Sequence, residues 1–113
     1  MALTHVPARN EVDPRHTWND TSVFATVEEW ADELEALSAD LDSITARQGH
    51  LAEGSGVLLD ALRDREKLVQ RAEKALIYAY LAQAVDTTDQ AATQRVGRGM
   101  GVLGRLLLSL IHI

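Results

Sequence analysis

The sequence has 113 residues, a mass of 12.4 kDa and a formal net charge of −6. These values favour one domain and disfavour nucleic acid or an anionic membrane as partner, because both attract surfaces rich in Lys and Arg. Cysteine is absent, which excludes disulfides, thiolate chemistry and zinc ribbons. With neither a signal peptide nor a run of ~20 apolar residues, we expect a soluble cytoplasmic protein.

Residues 1–25 are predicted to form an extended N-terminal arm. They contain Pro7 and Pro14, mixed charge and no apolar period. Trp18 and Phe24 offer large areas to bury, so we expect both rings to pack onto the body of the protein.

The first helix is predicted over Val27–Arg47, ending near Gly49. Thr26 and Glu29 have the spacing of a capping box. An apolar seam at steps of three and four predicts one buried face, and it comprises Val27, Trp30, Leu34, Leu37, Leu41 and Ile44. The opposite flank is acidic, with Glu28, Glu29, Asp32, Glu33, Glu35, Asp40 and Asp42.

A second helix is predicted over Leu58–Val85, with Ser55 of a Gly-Ser-Gly turn as its cap. Its predicted inward face is Leu58, Leu62, Val69, Ala72, Leu76 and Tyr80. Its row of like charges is Arg63, Lys67, Arg71 and Lys74. This row favours an acidic neighbour, and an antiparallel hairpin with the first helix would supply one.

The last part of this helix, residues 75–85, is apolar on every side apart from Gln83. Such a helix needs cover all round. One helix before it and one after it cannot provide that cover, so we expect part of the molecule to lie outside this chain.

A third helix is predicted to begin near Asp89, with Thr87 or Thr88 as cap and Gln90 completing a capping box. Gly99-Met100-Gly101-Val102-Leu103-Gly104 matches the dinucleotide-binding string Gly-x-Gly-x-x-Gly. Because a helix rather than a strand precedes it, close packing of a Gly-rich helix face is the better interpretation.

The last six residues, 108–113, resemble the translated end of a transposase adapter used in DNA library preparation. We therefore interpret residues 108–113 as a non-native tail and residues 26–107 as a helical N-terminal domain. The native protein is expected to continue beyond Leu107.

Candidate chemistry is sparse. The histidines are His5, His16, His50 and His112, and none has a second His four residues away on a helix. His50 and Glu53 form an isolated pair in a loop. The sequence therefore provides no catalytic, cofactor-binding or metal-binding residue.

Two groups of residues carry a family resemblance. The first is Arg9-Asn10-Glu11-Val12, Trp18-Asn19-Asp20-Thr21-Ser22-Val23-Phe24 and Val27-Glu28-Glu29-Trp30, and the second is Ile77-Tyr78-Ala79-Tyr80-Leu81-Ala82 with Ala84-Val85-Asp86-Thr87-Thr88-Asp89. The first group resembles the opening of oligoendopeptidase F and its relatives among the thimet-like zinc metallopeptidases, and the second resembles the end of that family's second helix and the turn after it. They occur in the family's order and spacing, although the family more often has Leu-Ser where Asp20-Thr21 stands.

The three predicted helices give an all-α fold, a three-helix antiparallel bundle or array with an extended N-terminal arm. The resemblance implies that this all-helical region forms part of the wall of a peptide channel. It also implies a larger parent whose helical catalytic domain carries His-Glu-x-x-His, binds zinc and cleaves short peptides. None of those ligands is in this sequence, so the chain alone should be inactive. The alternative is a free-standing helical interaction module that self-associates to hide its apolar surface.

Overall fold

The computed structural model describes the backbone of residues 5–111 and side chains as far as Ser109. The α-helices are α1 (Val27–Thr45), α2 (Ser55–Val85) and α3 (Gln90–Ile111). Single 3-10 turns precede them at Arg9–Glu11, Pro14–His16 and Asp20–Ser22. No strand occurs between residues 5 and 111, and the predicted all-α class is confirmed. His112 and the end of the predicted tail lie outside the described residues.

Helix α1 has the predicted cap and most of the predicted seam. The Glu29 amide donates to Thr26 Oγ1 at 3.1 Å, but the Glu29 side chain accepts from the Ala25 amide at 3.2 Å and not from the Thr26 amide that a capping box would use. Val27 is 40% exposed, and the buried residues of α1 are Trp30, Leu34, Leu37, Leu41 and Ile44. The helix ends at Thr45, and Gly49 in the following turn has a φ of 82°, which favours glycine.

The three helices form a bundle in which consecutive helices run antiparallel. Trp30, early in α1, bonds to Ala75, late in α2, whereas Arg47 just after α1 pairs with Asp64. Leu76 of α2 lies against Gly99 of α3, and Gln83 bonds to Thr93. The hairpin prediction is therefore confirmed, and α1 and α3 lie side by side in parallel.

The predicted inward face of α2 is only partly right. Ala72 is buried and Val69 packs against the core, but Leu58 and Leu62 are exposed, and Tyr80 is 53% exposed. The buried residues of α2 are Ala61, Leu68, Ala72, Ala75, Tyr78 and Ala79. This face is rotated by roughly 90° from the predicted one at 100° per residue. The reason is packing: α1 supplies the large side chains, and the alanines of α2 let them approach closely.

Two predicted caps are also wrong. Ser55 is the first residue of α2, and the N-cap is Gly54, which makes no side-chain capping bond. At α3 the Ala92 amide bonds to Asp89 Oδ1 at 3.1 Å, so Asp89 is the cap instead of Thr87 or Thr88. The Thr88 amide and the Thr88 hydroxyl both donate to Asp86 Oδ1 instead.

The arm packs on the bundle as predicted. Trp18, Val23 and Phe24 are partly buried against the core. The Phe24 ring meets the Tyr78 ring edge-on at 5.2 Å between centroids, and the Lys74 ammonium lies 5.0 Å from the Phe24 centroid. These contacts hold the arm over the late part of α2.

Candidate functional site

Helix α2 leaves an apolar patch exposed near its end. Ile77 (56% exposed), Tyr80, Leu81 and Val85 project into solvent. Positions three, four and eight apart share one side of a helix. We call these four residues the C-terminal α2 patch. Its exposure supports the prediction that the bundle alone does not cover residues 75–85.

A second group of exposed apolar residues lies at the other end of α2. Leu58, Leu59 and Leu62 form the N-terminal α2 patch. Arg47 pairs with Asp64, so these leucines project past the end of α1. Leu76 lies against Gly99 of α3, and Leu62 lies about 21 Å from Leu76 towards the start of α2. Because α3 runs antiparallel to α2, Leu62 is near the described end of α3. Exposed Met100, Leu107 and Leu108 add a stripe on α3.

Charge between α1 and α2 is concentrated at Arg71. Its Nε and Nη2 donate to the two carboxylate oxygens of Glu33, at 2.6 and 3.2 Å, and Nη1 donates to Asp40 at 2.6 Å. The hydrogen bonds to Glu33 and then Asp40 raise the pKa of Arg71 above its ordinary value. This part of the predicted acidic–basic contact is confirmed, whereas Lys74 lies over Phe24 instead.

A groove of about 370 Å³ runs between the parallel helices α1 and α3. Its lining residues are Leu34, Glu35, Ser38, Arg98, Gly101, Val102 and Arg105, and we call it the α1–α3 groove. Arg105 Nη2 donates to Ser38 Oγ at 2.9 Å, and Ser38 donates to the Leu34 carbonyl oxygen at 3.0 Å. The Arg98 guanidinium lies 5.3 Å from the centroid of the Trp30 ring. The groove therefore has an apolar floor and two positioned cations.

The charge on these two helices is opposite. Helix α1 carries seven carboxylates and no Lys or Arg, whereas the acidic residues are missing from Gln90–Ile111, which carries Arg95, Arg98 and Arg105. None of these arginines has a carboxylate within 4.0 Å among the described residues, and the buried Nε of Arg95 has no hydrogen-bond partner there. Helix α3 is thus a cationic element in an acidic chain.

Sequence reasoning missed this groove. The arginines of α3 are separated by glycines, which were predicted to form a closely packed helix face. That prediction holds only at Gly99, where a Cβ would lie 3.3 Å from Leu76 Cδ1, whereas a Cβ at Gly101 or Gly104 would meet open space. The available signal was the absence of any acidic residue from α3, read against the acidic flank predicted for α1.

The described residues do not assemble a reaction centre. His50 Nδ1 lies 2.6 Å from Glu53 Oε1 in the exposed loop between α1 and α2. Across residues 5–111 no three His, Cys, Asp or Glu side chains come together as metal ligands would. Nor does any helix in this part of the chain have both the length and the apolarity needed to span a bilayer.

The fold and its surfaces define an all-helical module with exposed apolar patches. Comparison with known proteins adds a family. The chain is 32% identical over 85 residues to the chromosomal oligoendopeptidase F of Lactococcus lactis subsp. cremoris. The matched region is 74% of the chain and 14% of that protein. It is 34% identical over 80 residues to the group B oligopeptidase PepB of Streptococcus agalactiae (71% and 13%).

The oligopeptidase PepF of Bacillus subtilis is 28% identical over 82 residues, or 73% of the chain and 12% of that protein. No family model matches the chain, and no solved structure matches it significantly. The resemblance noted in the sequence is confirmed: over 71–74% of its length the chain is similar to proteins named oligoendopeptidase F and oligopeptidase. It spans about an eighth of the length of these relatives.

Proposed function

We propose that this chain is the N-terminal helical wall of an oligoendopeptidase F-like zinc metallopeptidase that cleaves short peptides in the cytoplasm. The observation that carries the proposal is the match itself: relatives named as oligopeptidases align with nearly three quarters of the chain and extend far beyond it. The catalytic domain is the partner, and it lies in the remainder of the parent protein.

The exposed apolar patches support this assignment physically. Burying a large aliphatic or aromatic side chain stabilises by about 1.5–3 kcal/mol. The C-terminal α2 patch alone exposes four such side chains over two helical turns. In the proposed parent, the catalytic domain covers this patch. The self-associating module is the second candidate, but no relative supports it.

Among the described residues, no three His, Cys, Asp or Glu side chains come together as zinc ligands would. Zinc binding and the activation of water are proposed for the remainder of the parent. The contribution of this chain is to shape and close the channel. The predicted non-native origin of residues 108–113 is part of the same proposal.

The test is a chimera. In the chromosomal oligoendopeptidase F of L. lactis, the 85-residue segment that matches is replaced by the corresponding segment of this chain. We expect the chimera to cleave short peptides, whereas a version without the segment does not. A chimera with full helical circular dichroism and no more activity than the deletion would contradict the proposal.

A further inference from the structure

The arginines of α3 have no described carboxylate partner although the chain carries 17 acidic residues. Arg98 and Arg105 are instead held by neutral groups, the Trp30 ring and the Ser38 hydroxyl. They line the same groove about 10 Å apart along α3, since each residue rises 1.5 Å. The groove therefore presents two guanidinium groups without an ion-pair partner among the described residues, on an apolar floor, with Glu35 as the one carboxylate in its lining.

We propose that the α1–α3 groove binds the free C-terminal carboxylate of a short apolar peptide. Arg105 is the group that takes the carboxylate. Its position is fixed because Ser38 is itself anchored to the Leu34 carbonyl oxygen. A guanidinium has five N–H donors, and its planar fork matches a carboxylate.

The rest of the groove suits the remainder of such a peptide. Leu34 and Val102 form an apolar floor, and Gly101 adds no side chain above it, with open space where a Cβ would stand. Glu35 on the α1 wall weakens the attraction of the groove for any carboxylate, but it can accept a hydrogen bond from a peptide N–H, which a simple anion cannot offer. A volume of about 370 Å³ lies at the lower end of the roughly 300–1,000 Å³ of ligand pockets, which suits two or three residues.

The identification of the ligand as a peptide rests on the proposed function. The charge and shape of the groove are features of the structure and do not depend on that function. In a peptidase wall the groove would hold one end of a substrate or a released product. Because it is open on one side, we expect weak binding, on the order of 1 mM.

The experiment is saturation-transfer difference NMR of the full chain at about 10 µM, a concentration suited to a weakly bound ligand in excess. The probes are N-acetyl-Leu-Leu with a free carboxylate and the same dipeptide as its C-terminal amide. We expect binding of the acid and an affinity for the amide about tenfold weaker, because hydrogen bonds to a charged group are the strong ones. Equal binding of the two probes, or binding of neither, would overturn the proposal.

Three variants locate the site. Arg105→Gln should remove the preference for the acid over the amide, and Arg98→Gln should weaken the binding of the acid. Arg63→Gln on the exposed face of α2 makes the same change in net charge away from the groove. It should leave the preference unchanged, and an equal loss in R63Q would show that general charge, not this groove, binds the peptide.

Unchanged helical circular dichroism confirms that each variant folds. The NMR result is independent of catalysis in the chimera, so the two proposals fail separately.

Discussion

Trp30 Nε1 donates a hydrogen bond to the backbone carbonyl oxygen of Ala75 at 2.8 Å, inside the core and across 45 residues of sequence. The Ala75 carbonyl belongs to a continuous helix, so it accepts this bond in addition to its helical one. Trp30 is fully buried. This single side chain therefore fixes the height of α1 against α2 as well as filling the core between them.

Replacing Trp30 with Phe should destabilise the bundle by about 2–3 kcal/mol. The change removes the indole donor and leaves a small cavity in a buried site. Urea unfolding followed by circular dichroism measures the loss. Trp18→Phe is the matched control, because Trp18 is only partly buried, and it should cost less than about 1 kcal/mol. Equal losses of unfolding free energy in the two variants would contradict the role assigned to the hydrogen bond between Trp30 and Ala75.

Arg71→Lys should destabilise the α1–α2 hairpin by about 1 kcal/mol at low salt. Lysine keeps the charge but cannot bond both oxygens of Glu33 while reaching Asp40. Because the pair is partly solvent-exposed, we expect most of the difference to disappear in 1 M salt, where the Debye length is about 3 Å. Arg63→Lys on the same helix should change stability by less than about 0.5 kcal/mol. A loss in R71K that is unaffected by salt would contradict an ionic origin.

Gly99→Ala should be neutral or destabilising, unlike alanine at Gly97. Within a helix, alanine is favoured over glycine by about 1 kcal/mol. At Gly97 the new methyl group meets open space, so the gain should appear in full. At Gly99 it would lie 3.3 Å from Leu76 Cδ1 and 3.6 Å from Leu76 Cα, so the strain offsets the gain. Thermal unfolding of the two variants compares them directly, and an equal rise in melting temperature would refute the close α2–α3 contact.

The free energy of unfolding should decrease at high pH as Tyr78 loses its proton. Burial raises the pKa of Tyr78 above its ordinary value of 10.0, with further contributions from Asp20 and Glu28. A group whose pKa is higher in the folded state contributes stability that is complete below the unfolded pKa and is lost as the pH rises through the folded value. Unfolding free energies measured from pH 8 upward should therefore decline above about pH 10. Tyr78→Phe should flatten the decline, and an identical pH profile would contradict the assignment.

The sequence predicted α1 well because its signals are local. An N-cap and a seam at helical spacing depend on neighbours three and four residues away, and the structure has both the Thr26 cap and the seam from Trp30 onward. The inward face of α2 failed because that helix is apolar on more than one side. Only tertiary packing selects Ala75 and Ala79 over Leu62 and Tyr80. The α1–α3 groove could not be predicted, since it depends on residues that are more than 60 positions apart, such as Ser38 and Arg105.

The isolated chain should self-associate through its apolar patches. We expect it to bind an apolar fluorescent dye and to show a sedimentation coefficient that rises with concentration. The double variant Ile77→Glu with Leu81→Lys places an ion pair of favourable order on the C-terminal α2 patch and leaves net charge unchanged. It should reduce both effects.

The control for that experiment is Ala36→Glu with Ala39→Lys, which adds the same charges to the exposed flank of α1. This control should self-associate as the parent chain does. If both double variants reduce dye binding equally, the C-terminal α2 patch is not the surface responsible.

The central claim is that the body of a peptidase covers the C-terminal α2 patch. Because the chain lacks cysteine, single thiols can be placed in its segment of the chimera: Ile77→Cys on the patch and Asp42→Cys on the exposed flank of α1. Mass spectrometry then measures how fast each site is alkylated. We predict that the thiol at position 77 reacts at least about tenfold more slowly than the thiol at position 42, which should react as an exposed thiol does. Equal rates at the two positions would contradict the claim.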